Sequence, residues 1–111
     1  MRHEDTIVYQ KSLELMETTR LAIQELRKGF AFLAEQLRRS TSSVSRNFAE
    51  GYYDSSKAQQ RRYFGYAIQS ARESSASFDT ARSFRVCREQ TIVRGKALAL
   101  DIVKILSKWG H

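Results

Sequence analysis

No proline interrupts the 111 residues, and this absence constrains the fold more than any motif does. Proline is the strongest breaker of a helix, because it lacks the amide proton and clashes with the preceding turn. A chain that avoids it and scatters five glycines is free to build long, uninterrupted helices. No stretch alternates apolar and polar residues long enough to predict a strand.

The 3.6-residue period predicts four helices, over about residues 5–27, 30–52, 56–85 and 88–109. In the first, Tyr9, Leu13, Met16 and Ile23 form one stripe, with Leu15, Ala22 and Leu26 beside it. Asp5 or Thr6 is its expected cap and Lys28-Gly29 its stop. The second contains LRRSTSSVSRNFAEG, residues 37–51, which superficially reads as a basic, serine-rich linker. Yet Leu33, Leu37, Thr41, Val44, Phe48 and Tyr52 fill one arc at 100° per residue, with Arg39, Arg46 and Glu50 opposite. Ser40, Ser43 and Asn47 edge that arc, where small side chains admit a close neighbour. A linker would not sort its residues in this way, so a packed helix is expected.

GYYDSS, residues 51–56, reads as a turn, with Asp54 or Ser55 capping the third helix. That helix has an inner stripe of Phe64, Ile68, Ala71, Ser75 and Phe78, flanked by Ala67, Ser74 and Ala81. The break before the fourth, near residues 85–88, has neither glycine nor proline to mark it. Ile92, Ala99, Ile102, Val103, Leu106 and Trp109 make one face of the last helix, widened by Leu98 and Ile105, while Val93 and Leu100 point elsewhere. That breadth exceeds one side of a small bundle and predicts either deep burial or a subunit interface, of which the interface is favoured. Four helices with short connections predict an all-α, antiparallel up-down four-helix bundle in a single domain spanning residues 1–111, assembling as a homo-oligomer.

The formal charge of +7 is unevenly spread. Residues 1–28 carry five basic and five acidic side chains, residues 29–79 seven and five, and residues 80–111 seven and two. Positive potential in the last third attracts phosphate backbones or acidic proteins. Arg38, Arg39, Arg46, Arg61 and Arg62 form one candidate phosphate-binding set. Arg82, Arg85, Arg88 and Arg94 form another, with Glu89 the only acid among them. The competing expectation is that Arg38 and Arg39 pair with carboxylates at subunit contacts.

Catalysis has little to work with. His3 and His111 lie near the two ends of the sequence, where fraying is expected, and no glycine loop cradles a phosphate. Glu50 and Glu73 lack the Glu-x-x-His companions of carboxylate metal bundles. Cys87 is single, so it makes no intrachain disulfide and no metal cluster. Neither cofactor nor metal is expected, and no enzyme. Gln36, Asn47, Glu50 and Glu73 are expected in inter-helix or inter-subunit hydrogen bonds. Tyr52, Tyr53, Tyr63 and Tyr66 either stack on bases or clamp the turns. No apolar run approaches the ~20 residues of a membrane span, and the N-terminus lacks a secretory apolar block, so a cytoplasmic location is expected.

LAEQLRRSTSSVSRNFAEG, residues 33–51, resembles the signature of the 23S rRNA intervening-sequence protein family. Gln36, Leu37, Arg38 and Arg39 match its first part, and Asn47, Ala49, Glu50 and Gly51 its Asn-x-Ala-Glu-Gly ending. VYQKSLEL, residues 8–15, is similar to the family's opening helix. RRYFGYAIQSARES, residues 61–74, is similar to its third, through Tyr63, Phe64, Ala67, Ser70 and Glu73. Two prolines and a glycine common in the family are absent here. The resemblance implies a four-helix bundle, bacterial, of largely unassigned role and related to pentameric assemblies, so a homopentamer is favoured. One such relative is a basic accessory protein of diversity-generating retroelements that binds nucleic acid and a reverse transcriptase. The leading expectation is therefore a non-enzymatic oligomer binding RNA, DNA or a ribonucleoprotein through repeated basic patches. The alternative is a scaffold engaging an acidic protein partner such as a reverse transcriptase.

Overall fold

A computed structural model describes residues 1–109. Four helices follow a short 3-10 turn at His3–Asp5: α1 Ile7–Glu25, α2 Ala31–Tyr52, α3 Lys57–Phe84 and α4 Glu89–Lys108. Among the described residues there is no strand. Each helix packs on its neighbours in the chain, and α4 closes on α1. The resulting four-helix bundle measures 45 × 21 × 19 Å, a length that a 28-residue helix such as α3 sets at about 1.5 Å per residue.

Local chemistry fixes where the helices begin and end. Thr6 caps α1, its hydroxyl accepting from the Tyr9 amide at 3.1 Å. At α3 the cap is Ser56, which accepts from the Gln59 amide, while Asp54 shapes the turn by accepting from the Ser56 amide. Gly29 adopts φ 101° in the first connection. The break between α3 and α4 is made by an arginine: Arg85 is left-handed at φ 56°, and the Val86 amide donates back to the Ala81 carbonyl at 3.1 Å. A residue with a Cβ rarely takes this conformation, so the sequence carries no marker there.

The core runs the length of the bundle through Leu15, Leu33, Leu37, Val44, Phe48, Phe78, Ile102 and Leu106, all essentially inaccessible. Each such side chain stabilises the fold by about 1.5–3 kcal/mol relative to exposure. α1 is turned away from its expected stripe. Val8, Leu15 and Ala22 face the core with Ser12, Thr18 and Thr19, whereas Leu13 is 40% exposed. Ser12 and Thr18 tolerate burial because Ser12 donates to the Tyr9 carbonyl and Thr18 to the Glu14 carbonyl, whereas the Thr19 hydroxyl is buried without a hydrogen-bond partner among the described residues. Small residues also let α1 approach closely, so its buried face is less greasy than its flank.

Between α2 and α3 the contact is built on serine. The Ser74 hydroxyl donates to the Ser40 hydroxyl at 3.0 Å, and Ser70 to Ser43 at 2.9 Å. This pulls α3 round, burying Ser70 and Ser77 and leaving Ile68 and Ser75 only half-buried. Partners on the two helices run in opposite chain order, Ser40 with Ser74 and Ser43 with Ser70. Lys11 with Asp101 and Glu25 with Thr91 do the same on α1 and α4.

Candidate nucleic-acid interface

The nine expected arginines do not form two simple clusters. On α2, Arg38 and Arg39 are exposed on one turn and Arg46 about two turns further on, with Arg38 looking into one groove and the other two into another. Arg38 rims a cavity of about 410 Å³ between α1 and α2, whose floor includes Met16, Ile23 and Thr41. Arg39 edges the groove between α2 and α3, with Ser40, Ser43, Tyr66 and Glu73. Arg46 shares a recess with Asn47, Glu50 and Tyr63, further along the same groove. Although Arg46 and Glu50 are spaced for a helical pair, no ion pair joins them.

Arg61 and Arg62 are exposed on the first turns of α3. The Arg62 guanidinium donates to the Tyr66 hydroxyl at 2.7 Å, and that hydrogen bond raises its pKa further above the ordinary arginine value. Its charge is held in place without being neutralised.

The second set is divided. Arg82 is occupied: its Nε lies 3.0 Å from a Glu89 oxygen, and Asp79 lies 3.6 Å away. The same hydrogen bond pushes the Glu89 carboxyl below its usual range. Arg94 faces α1, with Glu14 at 3.8 Å. Among the described residues Arg85 and Arg88 make no ion pair, Arg85 at the α3 terminus and Arg88 at the α4 cap. The Arg88 amide, with the Thr91 hydroxyl, donates to the Glu25 carboxylate, which thereby sits as a negative charge at the α4 N-terminus. Seven of the nine arginines thus make no ion pair among the described residues.

The four polar residues of the resemblance lie along the α2–α3 groove. Gln36 and Glu73 line one recess and Glu50 another, all three exposed. Asn47 donates within its own helix, to the Ser43 carbonyl and hydroxyl, both at 2.9 Å. The side-chain hydrogen bonds that cross between these helices belong instead to the serines and to Gln60, which donates to the Gly51 carbonyl.

His3 is anchored rather than frayed. Its amide donates to the Tyr53 hydroxyl at 3.1 Å, and its ring meets Tyr9 edge-on at 4.7 Å. Tyr52 packs against Phe48 and donates to the Met1 carbonyl. His111 lies outside the described residues. Among the described residues no three histidine, cysteine, aspartate or glutamate side chains gather as metal ligands. No helix among them is long and apolar enough to cross a membrane.

Sequence reasoning missed the pole where both connections meet. There Arg27 donates to the Phe84 carbonyl at 3.2 Å, and Phe84 packs against Phe30. The available signal was an aromatic beside a cation in each turn, RKGF and SFR, but nothing in the spacing shows that the two turns touch.

Fold and surface together define a small, basic, all-α four-helix bundle with most of its arginines uncompensated. The family model described as 23S rRNA-intervening sequence protein matches residues 4–108, and the chain belongs to that family. No curated protein matches it.

Proposed function

We propose that this chain is a non-enzymatic, cytoplasmic, oligomeric component that binds nucleic acid, or a ribonucleoprotein, through basic patches repeated around its assembly. The observation that carries the reading is the imbalance of the surface. Among the described residues, Arg38, Arg39, Arg46, Arg61, Arg62, Arg85 and Arg88 have no carboxylate partner, while Glu17, Glu25, Asp79 and Glu89 are engaged by other groups. Unpaired arginines on rigid helices are available to phosphates, and releasing condensed counterions would drive association. Sequence-specific readout is not part of the proposal, because no recognition helix or RNA-recognition signature is present.

Assembly belongs to the same proposal, as an antiparallel up-down bundle forming a pentameric ring. The chain covers most of α4 itself, but Val93 and Leu100 are each 53% exposed on it, as are Ile7 at 67% and Leu21 at 42% on α1. Apolar side chains left on two adjacent helices favour burial against sister copies. The α2–α3 groove, with Gln36, Glu50 and Glu73 unpaired, is polar enough to lie at the rim of such contacts or to take an acidic partner.

Mobility shift with RNA and duplex DNA at low ionic strength tests the reading. Binding is expected, and Arg85→Glu with Arg88→Glu should weaken it more than Arg82→Glu, whose charge is already compensated. Failure of both nucleic acids to bind, alongside capture of an acidic protein, would move the function to the scaffold alternative.

A further inference from the structure

Two half-exposed phenyl rings stand among cations where α1 turns into α2 and α3 into α4. Phe32, in the first turn of α2, is 49% exposed, and Phe84, the last residue of α3, 52%. Both lean on Phe30, at centroid distances of 6.0 and 5.3 Å. Phe30 itself packs on the core, so the three rings form a fixed platform. The two connections that carry these rings also carry Arg27, Lys28, Arg85 and Arg88, and Arg27 donates to the Phe84 carbonyl.

None of these four cations makes an ion pair among the described residues. The nearby acids are occupied: Glu25 accepts from Arg88 and Thr91, and Glu89 holds Arg82. Glu35, three residues beyond Phe32, is exposed and opposes the positive field.

We propose that this pole is a stacking site for single-stranded nucleic acid, in which Phe32 and Phe84 take unpaired bases and the four cations take the flanking phosphates. The proposal rests on the nucleic-acid reading above and deepens it. Charge alone would serve a duplex equally well, since every duplex presents phosphates. The rings make the difference, because bases in a duplex are already stacked on one another and offer no free face. A phenyl ring has no donor or acceptor to read a base edge, so the site would tolerate any sequence. An anionic membrane would favour a wide protruding apolar face, whereas these two rings are half-sunk, at 49% and 52% exposure.

The test compares the wild-type chain with Phe32→Leu/Phe84→Leu, which keeps apolar side chains over Phe30 but removes both flat faces. Probes are a fluorescent oligo-dT strand, a duplex of equal length, and anionic phospholipid vesicles. The strand should bind the wild type more tightly than the duplex does. The double variant should lose about fivefold or more of its strand affinity and none for duplex, and Glu35→Gln should tighten the strand. Should the double variant fail to fold, Phe32→Leu alone gives the same comparison from an exposed position. Equal strand binding by both proteins would overturn the stacking site while leaving the arginine reading intact. Absence of binding to either nucleic acid would remove both. Vesicle binding that depends on the rings, with strand binding unchanged by their loss, would overturn it in favour of a membrane surface.

Discussion

Arg85 combines two demands at a single position. Its left-handed backbone costs about 1 kcal/mol that glycine would not incur, yet its side chain places an unpaired charge at the pole. Arg85→Gly should therefore raise stability by up to about 1 kcal/mol in denaturant titration while lowering nucleic-acid affinity. Loss of stability would show that the side chain has a packing role the contacts do not reveal. Cys87, two residues further along the same connection, tests the electrostatics of burial. Its thiol donates to the Ala22 carbonyl at 3.4 Å, and desolvation, reinforced by the Glu25 carboxylate, pushes its pKa from 9.0 up to about 11. The folded state therefore holds the proton more tightly than the unfolded one. Its contribution to stability is complete below pH 9.0 and is lost as pH rises through about 11. Thermal melts across that window should fall more steeply for the wild type than for Cys87→Ser, and identical slopes would contradict the shift.

At the scale of elements, helix approach rather than greasiness decides which faces meet. Gly95 on α4 shows this most sharply: a Cβ there would come closer than 3.0 Å to three carbons of the Phe78 ring, which is fully buried and cannot yield. Gly95→Ala should destabilise by about 1–3 kcal/mol of overpacking, less the ~1 kcal/mol that alanine gains in helix propensity. A melting temperature at or above wild type would mean that α3 and α4 can part freely. The same rule explains what the sequence disclosed. The arc through Leu33, Leu37, Thr41, Val44 and Phe48 was legible because its polar residues fall cleanly opposite. α1 was legible as a helix but not in rotation, because Ser12, Thr18 and Thr19 are buried by closeness while Leu13 and Leu21 are left outside. Hydropathy weighs side chains and cannot see the distance between two backbones. The α3–α4 break was hidden for a related reason: an arginine took the role for which glycine is the usual marker.

For the whole molecule, the candidate surface was legible as composition but not as a map. The sequence locates the positive excess in the last third, yet Arg82 and Arg94 find partners through the fold, and the cations that stay unpaired at the pole include Arg27 and Lys28 from the neutral first segment. Pairing across 7 residues, as in Arg82 with Glu89, or across 80, as in Arg94 with Glu14, is a property of the folded chain. Assembly would then multiply whatever charge remains. Light scattering at micromolar concentration should return several times the 12.8 kDa of one chain, and a well-folded monomer would remove the ring while leaving the surface. The most direct test of the central claim is the salt dependence of RNA affinity for the intact protein. Binding at low ionic strength that falls linearly in log–log form, with a shallower slope once Arg38, Arg39 and Arg46 are neutralised, is the predicted result. No binding at low salt, or an affinity indifferent to salt and to those three charges, would contradict it.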